Sequence, residues 1–122
     1  MKPLSILLVE DDAMIGALLA EMLAGLGYKI GAIQATEEGA VAAAARHKPD
    51  LMIVDIRLAE GTGIAAVERI TQTGPIPHVF MSGLGRLAGT PGAVLLTKPF
   101  READLIRAIA RALDQASVGV AE

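Results

Sequence analysis

The sequence predicts an α/β fold, a doubly wound five-stranded parallel sheet with helices on both faces. Three observations point to it. Short apolar runs alternate with segments of helical periodicity, several runs end abruptly in a polar or charged residue, and glycine or proline punctuates the boundaries. Strands separated by helices need crossover connections, and crossovers make a parallel sheet. With 122 residues, 52% hydrophobic and no cysteine, the chain is expected to form one domain over 1–122. A domain of this size buries enough surface to fold without a disulfide or a metal staple.

Leu4 to Val9 is an almost wholly apolar run that stops at Glu10-Asp11-Asp12, as a strand buried on both faces would. Ile15, Leu18, Leu19, Met22, Leu23 and Leu26 then recur at helical spacing up to Gly27, with Asp12 as the best candidate cap. Tyr28 to Gln34 reads as a weaker strand. Thr36 offers a side-chain cap to a helix with Glu37 and Glu38 in its first turn, which runs to His47 and stops at Pro49-Asp50. Leu51 to Val54 is a second strong strand, ending in Asp55. The loop Glu60-Gly61-Thr62-Gly63 leads to a helix through Ile64, Val67 and Ile70, closed before Gly74-Pro75. His78 to Met81 is a further strand ending in Ser82, and Ala93 to Leu96 another, ending in Thr97-Lys98-Pro99-Phe100. The last helix carries Leu105, Ile106, Ile109 and Leu113 on one face, and residues 115–122 read as a frayed tail.

Composition excludes several classes. Eleven basic residues against 14 acidic ones give a net charge of −3, and only 2% of residues are aromatic. Neither a phosphate-tracking patch nor a stacking platform for bases is available, which argues against nucleic-acid binding. No apolar run approaches the roughly 18 residues that a membrane helix needs. The N-terminus lacks the pattern of a signal peptide, so a cytoplasmic location is expected. His47 and His78 have no metal-ligand spacing.

In an open parallel sheet, ligands bind beyond the carboxyl ends of the strands. Those ends carry Glu10, Asp11, Asp55, Ser82 and Lys98. Carboxylates brought together repel unless a cation sits among them, and a hard oxygen cluster suits magnesium. Lysine and a hydroxyl beside such a site suit a phosphoryl group, toward which an aspartate can act as nucleophile. Each residue alone has an ordinary explanation as a strand-end cap or a solvated side chain. Four strand ends carrying the matching residues in order weigh against coincidence.

The ordered set of Glu10-Asp11, Asp55, Ser82 and Lys98-Pro99-Phe100 resembles the receiver domains of two-component response regulators over nearly the whole chain. The resemblance implies a flavodoxin-like topology with strand order 2-1-3-4-5 and Asp55 as phosphoacceptor from a histidine kinase or phosphotransfer protein. It further implies Mg2+ held by Glu10, Asp11, Asp55 and the main-chain carbonyl of Arg57. Ser82 would bind a phosphoryl oxygen, Lys98 would pair with the phosphate, and a cis peptide is expected at Lys98-Pro99. The receiver pattern fills the chain, so output is expected through contact with an unknown downstream protein or onward phosphotransfer. By the same resemblance, the kinase would dock on the first helix, around Ile15 and Leu18, and on the loop after Lys98.

Two departures stand out. Leu95 occupies the place where receivers commonly carry an aromatic residue, so the usual hydroxyl-to-aromatic rotamer switch has no partner. The stretch from Ser82 to Lys98 is short and rich in glycine, so the fourth helix of the family is expected to be short or absent. Both features resemble a group of alphaproteobacterial single-domain receivers with a Pro-Phe-x-Phe-Ala-Thr-Gly-type motif, of which Pro77-His78-Val79-Phe80-Met81-Ser82-Gly83 looks like a variant. A receiver-shaped interaction module that works without phosphorylation is the main rival. A haloacid-dehalogenase-like phosphatase would need aspartate where Arg57 stands, and a flavodoxin-like cofactor binder would want a hydroxyl-rich loop where Glu10 and Asp11 stand. Gly83 to Gly89 has its third glycine misplaced for a dinucleotide loop and opens no helix.

Overall fold

Alternating side chains on each central strand serve two different cores, and that alternation builds the molecule. A computed structural model describes residues 2–83 and 92–121. The elements in chain order are β1 (Ser5–Val9), α1 (Ala13–Gly25), β2 (Lys29–Gln34), α2 (Glu37–His47), β3 (Leu51–Asp55), α3 (Gly63–Thr71), β4 (His78–Ser82), β5 (Leu95–Thr97) and α4 (Glu102–Ala121). All sheet pairings are parallel, in the order β2-β1-β3-β4-β5. This is the expected flavodoxin-like topology. The expected short or missing helix between β4 and β5 falls on residues 84–91, which lie outside the described ones.

Ile6, Leu8, Ile53, Val79 and Met81 point to one face, where Leu19 and Leu23 of α1 and Leu105 and Ile109 of α4 cover them. Leu7, Val9, Met52, Val54 and Phe80 point to the other face. There α2 contributes only alanines to the fully buried set, Ala40, Ala43 and Ala44, beside Ala66, Val67 and Ile70 of α3. The period of two in the strands thus divides each apolar run between two helical layers.

Helix starts follow their caps. Asp12 accepts the Met14 and Ile15 N–H groups at 3.0 and 3.1 Å, and Thr36 accepts Gly39 N–H at 3.0 Å. Thr62 does the same for α3 through Ala65 N–H at 3.1 Å. Replacing Asp12 with alanine orphans two donors and is expected to cost about 1 kcal/mol, read as a lower urea midpoint at unchanged slope. An unshifted midpoint would show that water replaces this cap without loss.

Four sequence expectations change. β2 starts at Lys29, and β5 is confined to Leu95–Thr97. Ile106 is 46% exposed, because the buried stripe of α4 is Leu105, Ala108, Ile109 and Ala112, and a residue next to Leu105 lies about 100° round the helix from it. Leu18 is likewise 58% exposed while Leu19 and Leu23 take the core face of α1. The helical backbone of α4 continues through Ala121. Among the described residues, no helix is long and apolar enough to cross a membrane.

Candidate functional site

The sheet changes winding direction between β1 and β3, and the polar ends of its strands open at that point. Glu10 directly follows β1, Asp55 ends β3, Ser82 ends β4, and Lys98 directly follows β5. Parallel register holds these ends level: Val9 pairs with Val54, Asp55 with Met81, and Ser82 with Thr97. The Lys98 N–H donates to the Ser82 carbonyl at 2.9 Å, extending the β4–β5 ladder to the lysine. The Lys98-Pro99 peptide is cis, as the receiver resemblance implies.

Glu10, Asp55 and Ser82 are the buried polar residues of the chain among those described, while Asp11 is exposed beside them. The Lys98 ammonium bridges two carboxylates, donating to Glu10 Oε1 at 3.0 Å and to Asp55 Oδ2 at 2.9 Å. The remaining oxygens are also engaged. Asp12 N–H donates to Glu10 Oε2 at 3.2 Å, and Arg57 N–H to Asp55 Oδ1 at 3.2 Å. Burial pushes the Glu10 carboxyl above its ordinary value; the Lys98 hydrogen bond opposes this and the neighbouring Asp55 adds to it. For Lys98, burial works to lower the ammonium pKa, but the hydrogen bonds to Asp55 and Glu10 outweigh it and hold it above the usual lysine value.

Carboxylate oxygens of Glu10, Asp11 and Asp55 lie within 4.8 Å of one another. An all-oxygen donor set with one exposed member fits a divalent cation that keeps part of its water shell, which is the behaviour of magnesium. The structure therefore brings together Glu10, Asp11, Asp55 and Lys98, with Ser82 buried at the end of the neighbouring β4. Leu95 is half-buried against the α2 and α3 core. His78 is a satisfied structural histidine, with Nδ1 2.8 Å from the Ile76 carbonyl and its ring edge-on to Phe80.

Two residues of the site went unrecognised in the sequence. Gly63 opens α3 so close under β3 that a Cβ there would overlap the Asp55 carbonyl oxygen and lie 2.7 Å from Val54 Cγ1. Glu37 reaches from α2 to the loop after Asp55, accepting Thr62 N–H at 3.1 Å. A glycine preceding a helical run was visible for the first, but the second depends on a contact 25 positions along the chain.

Residues 6–110 match the response regulator receiver domain family. The chain belongs to this family. It is thus a signalling domain of the two-component type, and its resemblance to relatives covers most of its length. The receiver is 36% identical over 119 residues to the transcriptional regulatory protein PdtaR of Mycobacterium tuberculosis, covering 93% of this chain and 58% of that protein. It is 33% identical over 114 residues to the phyllosphere-induced regulator PhyR of Methylorubrum extorquens, covering 88% and 43%. The solution structure of the Erythrobacter litoralis PhyR receiver domain matches it with a TM-score of 0.82 at 34% identity, covering 93% and 92%. The receiver spans about half the length of the curated relatives it matches.

Proposed function

We propose that this receiver accepts a phosphoryl group from a phosphohistidine, carried by a histidine kinase or a phosphotransfer protein, onto Asp55 in a magnesium-dependent reaction. One observation carries the reading: the buried Asp55 carboxylate has the Lys98 ammonium 2.9 Å from Oδ2, with Glu10 and Asp11 oxygens beside it. In the transfer, an oxygen–phosphorus bond forms at Asp55 as the nitrogen–phosphorus bond of the donor breaks. The bonding pair leaves on the imidazole nitrogen, which takes up a proton.

Glu10, Asp11, Asp55 and the main-chain carbonyl of Arg57 are the residues that would hold magnesium. When bound, the ion supplies positive charge for the phosphoryl oxygens. Lys98, already shared between Glu10 and Asp55, would turn one of its donors to the new phosphoryl group. Ser82, at the end of β4, would donate its hydroxyl to a second phosphoryl oxygen. Output then passes by contact with a downstream protein, or by onward transfer of the phosphoryl group. An apolar groove formed by Ile15, Leu18, Leu19, Met22, Pro99 and Phe100 beside Lys98 supports docking of the donor there. The reading also places the protein in the cytoplasm, with neither membrane nor nucleic acid as partner.

The test is intact mass after incubation with magnesium and acetyl phosphate, for wild type and Asp55→Asn together. One added phosphoryl group on wild type and none on the variant is the expected result. Should wild type stay unmodified, also with candidate phosphorylated kinases, and bind no magnesium, the phosphorylation-independent contact module replaces this reading. The absence of an aromatic at Leu95 is the feature that favours that rival.

A further inference from the structure

The first N–H groups of a helix have no partner within it. In α2 the N–H of Glu37 finds one outside, the Glu60 carbonyl at 3.1 Å. The Glu37 side chain turns to the same loop. Its Oε1 accepts Thr62 N–H at 3.1 Å, and its Oε2 accepts Arg69 Nη1 of α3 at 3.0 Å. Gly61, with φ +80°, lies so close beneath it that a Cβ would overlap the Glu37 side chain. A single residue thus holds the tip of the β3–α3 loop by its main chain and its carboxylate, and the carboxylate also anchors α3.

The other end of that loop enters the site. Arg57 pairs with Thr62 in an isolated antiparallel bridge, and Gly63 N–H donates to the Ile56 carbonyl at 2.9 Å. Arg57 N–H in turn donates to Asp55 Oδ1. The path from Glu37 to the acceptor therefore has three steps, Glu37 to Thr62, Thr62 to Arg57, and Arg57 to Asp55. We propose that Glu37 is a positioning residue of the phosphoacceptor site, clamping residues 57–62 so that the Arg57 peptide offers its N–H to Asp55 and its carbonyl to the divalent cation. This deepens the magnesium-dependent reading above and rests on it.

Glu38 provides the internal contrast. It shares Arg69 with Glu37, at 2.7 Å, but its side chain is 81% exposed and no hydrogen bond joins it to the loop among the described residues. An exposed pair of this kind contributes little. Groups that orient a metal ligand from behind commonly cost about tenfold or more in metal affinity when removed.

The test uses amide hydrogen exchange by NMR on metal-free protein and calorimetric titration with magnesium alone, for wild type, Glu37→Ala, Glu37→Gln and Glu38→Gln. Glu37→Ala is expected to speed exchange at the Thr62 and Arg57 amides about fivefold, the worth of one hydrogen bond. Its magnesium affinity is expected to fall about tenfold. Glu37→Gln keeps an oxygen acceptor for Thr62 and should recover most of both losses, while Glu38→Gln should match wild type. If Glu37→Ala does not fold, Glu37→Asp, shorter by one methylene, is expected to show the same losses. Unchanged Arg57 exchange, or faster exchange with unchanged magnesium affinity, overturns the proposal. Wild type that binds no magnesium removes the function reading itself and leaves the clamp with no site to position, an outcome distinct from a variant that merely matches a magnesium-binding wild type.

Discussion

Lys98→Met is expected to slow phosphoryl uptake by Asp55 at least about a hundredfold, the usual cost of removing one pre-placed donor from a charged transition state. Methionine keeps the length and apolar character of the lysine stem, so the groove that Lys98 lines with Pro99 and α1 keeps its apolar wall. What disappears is the cation between Glu10 Oε1 and Asp55 Oδ2. Breaking a fully buried pair costs roughly 3–5 kcal/mol, but the Lys98 side chain retains 24% exposure, so a loss of about 2 kcal/mol is expected in metal-free buffer. Magnesium should restore more stability to the variant than it adds to wild type, because only the variant starts with uncompensated carboxylates.

The pH dependence has a definite sign. The folded Glu10 carboxyl has a pKa above its ordinary value, so between the two values the folded state holds a proton that the unfolded state has released. Stability therefore falls as pH rises through that window. The Lys98 hydrogen bond is the largest influence opposing the shift, so its removal should extend the fall to higher pH. Denaturant midpoints of wild type and Lys98→Met, compared from mildly acidic to neutral pH without metal, read this directly. Wild-type phosphorylation rates in Lys98→Met would contradict the role assigned to the lysine, and parallel pH profiles would contradict the electrostatic account of Glu10.

Gly63→Ala carries the second large effect. The added methyl would overlap the Asp55 carbonyl oxygen and lie 2.9 Å from its carbon and 2.7 Å from Val54 Cγ1. Two of these neighbours are main chain of a central strand, which cannot yield as a flexible side chain can. The choice is between pushing α3 away from the sheet and displacing Asp55. A loss of about 3 kcal/mol, or about 10 °C in Tm, is expected. On the proposed acceptor role of Asp55, the surviving folded fraction should also take up phosphoryl groups more slowly, because that carboxylate has moved. Gly25→Ala is the matched control, since nothing lies within 4 Å of its added methyl. Equal Tm for Gly63→Ala and wild type would mean that α3 can shift freely at its first turn.

The strands were legible because β1, β3 and β4 are short apolar runs that each end where the chemistry begins, at Glu10, Asp55 and Ser82. Caps were legible at Asp12 and Thr36 because capping is local and the residue types announce it. Helix faces were less so. Ile106 looked like core by size, yet Ala108 and Ala112 take that stripe, because a small side chain near a sheet buries as completely as a large one farther off. Gly63 and Glu37 escaped notice for a different reason. Their roles are distances to Asp55, Thr62 and Arg69, set by how α2 and α3 sit on the sheet, and no spacing along the chain encodes them.

The alanine face of α2 also fixes a thickness. Ala40, Ala43 and Ala44 act as thin shims between helix and sheet, so the height of the helix axis above β2 and β1 is set nearly by main chain alone. Ala40 lies one turn after Glu37 on the same helix and has no exposed surface. A wider side chain there would raise the first turn of α2 and carry the Glu37 carboxylate off Thr62. The same residues that make this half of the core so plain in composition therefore calibrate the reach of a carboxylate at its rim, and a mutation wholly inside the apolar layer would be felt at Arg57.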